Sequence, residues 1–275
     1  MISEEPHEET ITVINETYPE WGNENGYMIC VGGINEEKKE WRRLFPVPYE
    51  NWWNPVLREK VGFSKWDRIK VTIQKQPHHK DPRKESYKLM DSENIEIVGH
   101  VDDWTEKRRI LDPYVLPDLE TLWEKKRQEN ATGSWTSMGV LRPEEILDFV
   151  EQDRYRVDDE GYRQVMTVQL KQLTLPGLAP PLVPDPINKK IGYTFKCRNN
   201  DSCKGHDVMC TDWEVCQLYR KMRQKYGDEE GFQKVRNKMF TWMLSKRDLY
   251  LMMGTVHRYP TFINVGVFYP PHMEN

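Results

Sequence analysis

A chain of 275 residues, 37% hydrophobic and 31% charged with a formal net charge of −4, has a globular balance and is long enough to bury a core without a covalent staple. It is not basic all over, which does not exclude a polyanion partner, and it lacks the apolar run of roughly 18 residues that a membrane helix needs, so no membrane span is expected. The opening MISEEPHEETITV is acidic and lacks the basic-then-apolar order of a secretory leader, so the expectation is a cytoplasmic protein with reduced thiols.

From the N-terminus, TITVI and GYMICVGGI read as strands, being apolar, β-branched and bounded by Gly and Asn. Cys30 falls in the second and reads as a buried strand residue. GINEEKKEW is a polar turn, EWRRLFPVP a returning strand closed by Pro46 and Pro48, and YENWWN a helical turn. WDRIKVTIQKQ alternates Ile69, Val71 and Ile73 with polar residues, the pattern of a half-buried strand. HHKDPRKESYK reads as a charged loop and NIEIVGHV as a further strand. About five strands in the first hundred residues predict a small antiparallel barrel or curled sheet.

DDWTEKRRILDPYV and LPDLETLWEKKRQ read as short helices, the second with Leu119, Leu122 and Trp123 on one face. MGVLRPEEILDFVEQD is mixed, and RQVMTVQLKQLTLP alternates as a strand. LPGLAPPLVPDP packs five prolines into a stiff connector, the best boundary candidate. KKIGYTFKC is then a strand. Thr211 with Glu214 reads as a capping box ahead of the helix DWEVCQLYRKMRQKY, which Gly227 stops. DEEGFQKVRNKMFTWML is a second helix, and DLYLMMGTVHR and TFINVGVFY are two strands. The expected fold class is α+β: an N-terminal small antiparallel barrel-like sheet and a C-terminal α/β unit with a Cys/His metal knuckle. The expected division is an acidic segment over 1–27, the sheet with a helical insertion over 28–175, and the Cys/His unit over 187–275.

Four of the five cysteines fall in FKCRNNDSCKGHDVMCTDWEVCQ, spaced C-x5-C-x2-H-x3-C-x5-C through Cys197, Cys203, His206, Cys210 and Cys216. Soft and borderline donors at this density point to a metal, and the polar turn RNNDS can fold the first pair into a knuckle. For zinc, Cys197, Cys203 and His206 come first, with Cys210 the preferred fourth ligand and Cys216 the next choice. Two other readings stay open: an iron–sulfur cluster on the four cysteines, and reduced structural thiols with no metal. A bracing role is favoured over a catalytic one, because Glu214 and Asp212 have ordinary work at a helix start.

Charge is unevenly spread. Residues 1–27 hold seven Glu and no Lys or Arg, residues 38–88 hold fourteen Lys or Arg against six acids, and 217–248 hold nine against four. In the 38–88 region Arg42, Arg43, Arg68, Lys70, Lys80, Arg83 and Lys84 are candidates for phosphate, and Trp41 and Trp66 for base stacking. This points to a nucleic-acid-binding accessory protein, with DNA or RNA as partner and the acidic first 27 residues as an intramolecular mask. The alternatives are a metal-dependent nuclease or hydrolase, for which Gln169-x-Lys171 is a short resemblance, and a protein–protein adaptor whose aromatics are all core. His257 in GTVHRYP reads as a turn or buried histidine. No phosphate-binding loop, dinucleotide fingerprint, nucleophile elbow or H-E-x-x-H is present.

EWRRLFPVPYENW and LYLMMGTVHRYPTFINVGVFYPP, with GH, DWE and LYR between them, resemble segments of uncharacterised prokaryotic proteins. That resemblance implies a cytoplasmic prokaryotic origin and no particular chemistry.

Overall fold

The computed structural model describes residues 5–22, 26–54, 59–60, 62–77, 79–153, 184, 187, 189–198, 200–256 and 259–272. The alternating segments at the N-terminus become β1 (His7–Glu16), β2 (Glu20–Gly22), β3 (Gly26–Asn35), β4 (Glu40–Pro48), β5 (Trp53–Asn54), β6 (Glu59–Lys60), β7 (Asp67–Lys75), β8 (Ser86–Leu89) and β9 (Glu96–His100). β1, β3, β4, β8 and β7 pair in turn, and β7 returns to β1, which closes a five-stranded barrel. β4 and β8 run parallel; the other pairings in the ring are antiparallel. β8 and β9 share one edge of β7 end to end, through Ile73–Lys75 and Asp67–Lys70 respectively.

The interior of the barrel is filled by Ile11, Val13, Ile29, Val31, Leu44, Ile69, Val71 and Ile73. β7 shows the predicted alternation of buried and half-exposed residues. β1 does not: its second half is buried on both faces, because the outward Ile14 packs against the C-terminal half. The acidic N-terminal stretch is therefore not a separate segment from residue 7 onward but a barrel strand. Two further expectations are corrected. Ser86, Tyr87 and Lys88, read as loop, belong to β8, and the Tyr49–Asn54 region forms turns leading into β5 rather than a helical turn.

The second half begins with α1 (Trp104–Leu111), capped by the Asp103 side chain, then β10 (Val115–Leu116) and α2 (Leu119–Asn130), capped by Asp118. β11 (Gly139–Leu141), β12 (Glu145–Asp153), β13 (Lys189–Lys196) and β14 (His206–Met209) follow. Then come α3 (Trp213–Tyr226) and α4 (Asp228–Arg236), which runs through a π-helical stretch, Asn237–Trp242, into α5 (Met243–Lys246). β15 (Tyr250–Val256) and β16 (Tyr259–Phe268) end the order. One sheet is β10–β11–β15–β16 and another β12–β13–β14. The fold is α+β, as expected.

β12 precedes the proline-rich connector and β13 follows it, yet the two pair over eight residue positions from Glu145↔Lys196 to Asp153↔Lys189. A boundary at that connector would split one sheet, so the division expected at 175 and 187 does not hold for the described residues. RQVMTVQLKQLTLP, with Gln169 and Lys171, and His257 lie outside those residues.

The two halves share a core. Trp41, Trp66, Ile14 and Ile34 pack with Met138, Val140, Tyr250, Met252, Val265 and Phe268. The DWE at the start of α3 is a second tie. The N-cap is Asp212, not Thr211: its carboxylate accepts the Val215 N–H at 3.0 Å and, from β16, the Val267 N–H at 3.1 Å. Lys65, in the turn before β7, donates to Asp212 at 2.5 Å and to Glu214 at 3.0 Å, so Glu214 does not complete a capping box. Trp213 enters the barrel's aromatic end, with ring centroids 4.7 Å from Trp52, 5.1 Å from Trp53 and 5.5 Å from Tyr18.

Candidate metal centre

Three residues of the cysteine segment converge. Cys197 follows the end of β13, Cys203 lies in the turn that returns the chain, and His206 opens β14. Gly205, at φ +97°, makes the left-handed step that starts β14, a conformation L side chains rarely adopt. β13 and β14 pair with Phe195 opposite His206, so the hairpin register brings the histidine back beside the first cysteine. One ligand atom from each of Cys197, Cys203 and His206 lies within 4.8 Å of the others, and the three can hold a metal ion.

Two backbone contacts favour thiolates, against burial. The Cys197 N–H points at the Cys203 sulfur at 3.4 Å, and the Leu119 N–H, in the first turn of α2, points at the Cys197 sulfur at 3.4 Å. Backbone donors and a helix N-terminus both favour negative sulfur. Asp118 and Asn200 hold α2 to the knuckle turn through a 3.2 Å hydrogen bond. Burial, with Cys203 and Glu120 close by, pushes the metal-free Cys197 thiol up to about 12. The Nε2 atom of His206 is buried and makes no hydrogen bond, although Glu120 Oε1 is 3.2 Å away. The carboxylate is within ion-pair reach of the ring. An imidazole nitrogen left over beside two sulfurs fits a group that supplies a Lewis acid there.

Cys210 and Cys216 are not part of this group. Cys210 is buried where β14 meets Asn264 of β16, and Cys216 packs inside α3 with its sulfur 3.8 Å from the Cys210 carbonyl. Their strand and helix positions make them core. Both candidates for a fourth ligand are corrected on that ground. Glu120, from α2, was not foreseen. Its sequence signal is only an acid in a first helical turn, where it reads as a dipole partner.

The basic 38–88 region is largely spent inside the fold. Arg42 is 2% exposed and is held by Glu9 at 2.7 Å. Arg43 and Arg83 both donate to the Thr255 carbonyl of β15, at 2.8 and 3.0 Å, and Arg83 is buried. Trp41 and Trp66 are each 8% exposed, against Tyr114 and Phe268. These five are corrected from ligand contacts to structural ties: Arg42 is spent on Glu9 within the barrel, and the other four occupy a face that the C-terminal half covers. Arg68 pairs with Glu36 and Glu106, Lys70 with Glu8, and Lys84 with Glu129, while Lys80 is exposed. The acidic segment does meet the basic one, through Glu8 and Glu9, but as a barrel strand and not as a removable mask.

Fold and site together define a two-part α+β protein with a Cys₂His group capable of holding a metal. The chain belongs to the family of domain of unknown function DUF8757, whose family model matches residues 119–275; that of domain of unknown function DUF8758 matches residues 7–113. Their junction falls between α1 and α2. No curated protein and no solved structure matches the chain. Among the described residues no helix is long and apolar enough to cross a membrane.

Proposed function

We propose that this is a zinc-binding protein in which Cys197, Cys203 and His206 hold the ion, and that the ion braces the β13–β14 hairpin against α2. The convergence of three donors within 4.8 Å carries the reading. Two thiols and one imidazole suit zinc better than hard, oxygen-seeking cations. An iron–sulfur cluster on the four cysteines would need Cys210 and Cys216, whose buried strand and helix places argue against their joining. A bracing role has support in the N–H···S contacts, which tie both sulfurs to backbone. Elemental analysis of anaerobically purified protein tests this: about one zinc per chain without visible colour is expected, and a brown iron-bearing protein or one free of metal overturns it.

A second reading, polyanion binding, draws on the other basic stretch. Lys221 and Lys225 of α3 and Lys234, Lys238 and Lys246 of the α4–α5 helix are exposed. Trp242 beside them is 38% exposed, with the Lys238 ammonium 3.3 Å from its ring centroid. Cations interleaved with an accessible ring suit a single-stranded nucleic acid. Fluorescence anisotropy with a labelled oligonucleotide should show salt-sensitive binding that Lys225→Glu and Lys238→Glu weaken; binding indifferent to both substitutions counts against this surface.

A further inference from the structure

We infer that Glu120 is the fourth ligand of the metal, so that the centre is a closed Cys₂HisGlu site joining α2 to the knuckle; this rests on the zinc reading above. The argument is geometric. With ordinary zinc bond lengths, a tetrahedral site separates a histidine nitrogen from a carboxylate oxygen by about 3.3 Å and a cysteine sulfur from a carboxylate oxygen by about 3.5 Å. Here Glu120 Oε1 lies 3.2 Å from His206 Nε2, and Glu120 Oε2 lies 3.7 Å from Cys197 Sγ. Each separation is that of a tetrahedral edge, but the two are made by different oxygens and Glu120 stands outside the 4.8 Å group, so metal binding must draw one of its oxygens inward to supply both edges.

Direction and support agree with distance. Glu120 is in the first turn of α2, one residue after the Leu119 N–H that points at the Cys197 sulfur, so one helical turn offers both a thiolate donor and an anionic ligand. The helix start is itself fixed, because the Asp118 carboxylate that caps it also takes the Asn200 amide of the knuckle turn at 3.2 Å. Asn200 also reaches Glu120 Oε2 at 3.5 Å, which orients the carboxylate. The Glu120 side chain is 48% exposed, so it covers the group from the solvent side. Neither of the other cysteines is in the group, and a structural zinc site needs four ligands.

Cobalt(II) is the probe, read by its visible absorption and by competition with zinc. Wild type should give the intense bands of a four-coordinate site. Glu120→Gln, at a half-exposed position, should keep the fold by far-UV circular dichroism, shift and weaken those bands, and lower zinc affinity by more than the roughly 10–100-fold that loss of an outer hydrogen-bonding partner costs. Glu120→Cys should add sulfur-to-metal charge-transfer intensity, which a residue outside the coordination sphere would not. Unchanged bands in both variants, with affinity within about tenfold of wild type, would refute the assignment while leaving the Cys₂His reading intact. A wild-type protein that takes up neither cobalt nor zinc overturns that reading itself, and this inference with it.

Discussion

Asp212→Asn should destabilise the protein by about 3 kcal/mol at neutral pH. Asparagine keeps the shape and, as a good N-cap, still accepts the Val215 N–H. What disappears is the charge facing Lys65, whose side chain is 7% exposed while that of Asp212 is fully buried, and, because an amide NH2 then stands at the Oδ2 position, the acceptor of the Val267 N–H. Removing one partner of a buried ion pair costs about 3–5 kcal/mol, and the surviving Glu214, which is half exposed, places the expectation at the low end. Asp212→Ala goes further. It also loses the cap, about 1 kcal/mol, so the total approaches the lower end of whole-domain stability. Burial alone would lower the Lys65 pKa, but Asp212 and Glu214 more than reverse that and raise it. A basic group with a raised pKa contributes fully below its unfolded value near 10.4, so the pair is intact at pH 7. Urea unfolding followed by far-UV circular dichroism would measure Asp212→Asn, Lys65→Met and the double variant, and the cycle should return a coupling above about 1.5 kcal/mol. A single-variant loss below about 1 kcal/mol, or a coupling near zero, would refute the claim that this pair latches the two halves together.

Three other outcomes can be checked directly. Chelation should lower the melting temperature by about 10 °C, since ligand at a thousandfold excess over its Kd is worth about 4 kcal/mol; Cys197→Ser and Cys203→Ser should lose the metal and Cys210→Ser and Cys216→Ser keep it, and metal loss from the second pair would contradict the placement of those residues in the core. Burial would raise the Glu9 carboxyl, but hydrogen bonds from Arg42, Lys38, Asn35 and His7 hold it well below the usual range; its contribution is therefore present above about pH 4.3 and lost as pH falls toward its folded pKa. Glu9→Gln, which leaves Arg42 buried without its carboxylate, should cost about 3 kcal/mol at pH 7 and flatten the acid limb of a stability–pH curve, and a variant with the wild-type acid limb would show that Glu9 does not set it. In Gly231→Ala the new methyl would meet the Arg223 and Met222 backbone at 2.7–2.8 Å, where nothing flexible can give way, so a loss of about 2 kcal/mol is expected in urea melts, and full stability would mean that α4 does not approach the α3 backbone this closely.

Local pattern carried a long way. The alternation of Ile69, Val71 and Ile73 in β7, both helices of residues 104–130 and the pair after Asp212 are readable because side-chain period and end signals act within a few residues. The Cys/His cluster was readable for the same reason, since Cys197, Cys203 and His206 are separated by one short turn. The errors cluster where long-range packing overrides local chemistry. Arg42 and Arg43 look like phosphate ligands because nothing nearby says that Glu9, on a strand 33 residues earlier, or Thr255, on one 212 residues later, will claim them. Thr211 and Glu214 fit a capping box by spacing, but Lys65 takes the glutamate and Asp212 the cap.

Period, turn chemistry and donor spacing, all short-range properties, determine that this is an α+β protein with a barrel-forming start and a Cys/His knuckle. Which charges are spent, which cysteines are core and what faces His206 are decided by long-range packing: within the barrel for Arg42, between the halves for Arg43, and within the second half for the cysteines and Glu120. Burial makes an unpaired charge costly, so the strand and helix partners that arrive in three dimensions choose among residues that the linear chain leaves equivalent. Glu120 stands 77 residues from Cys197 in the chain and 3.7 Å from its sulfur in the fold, and only the folded distance carries its chemistry.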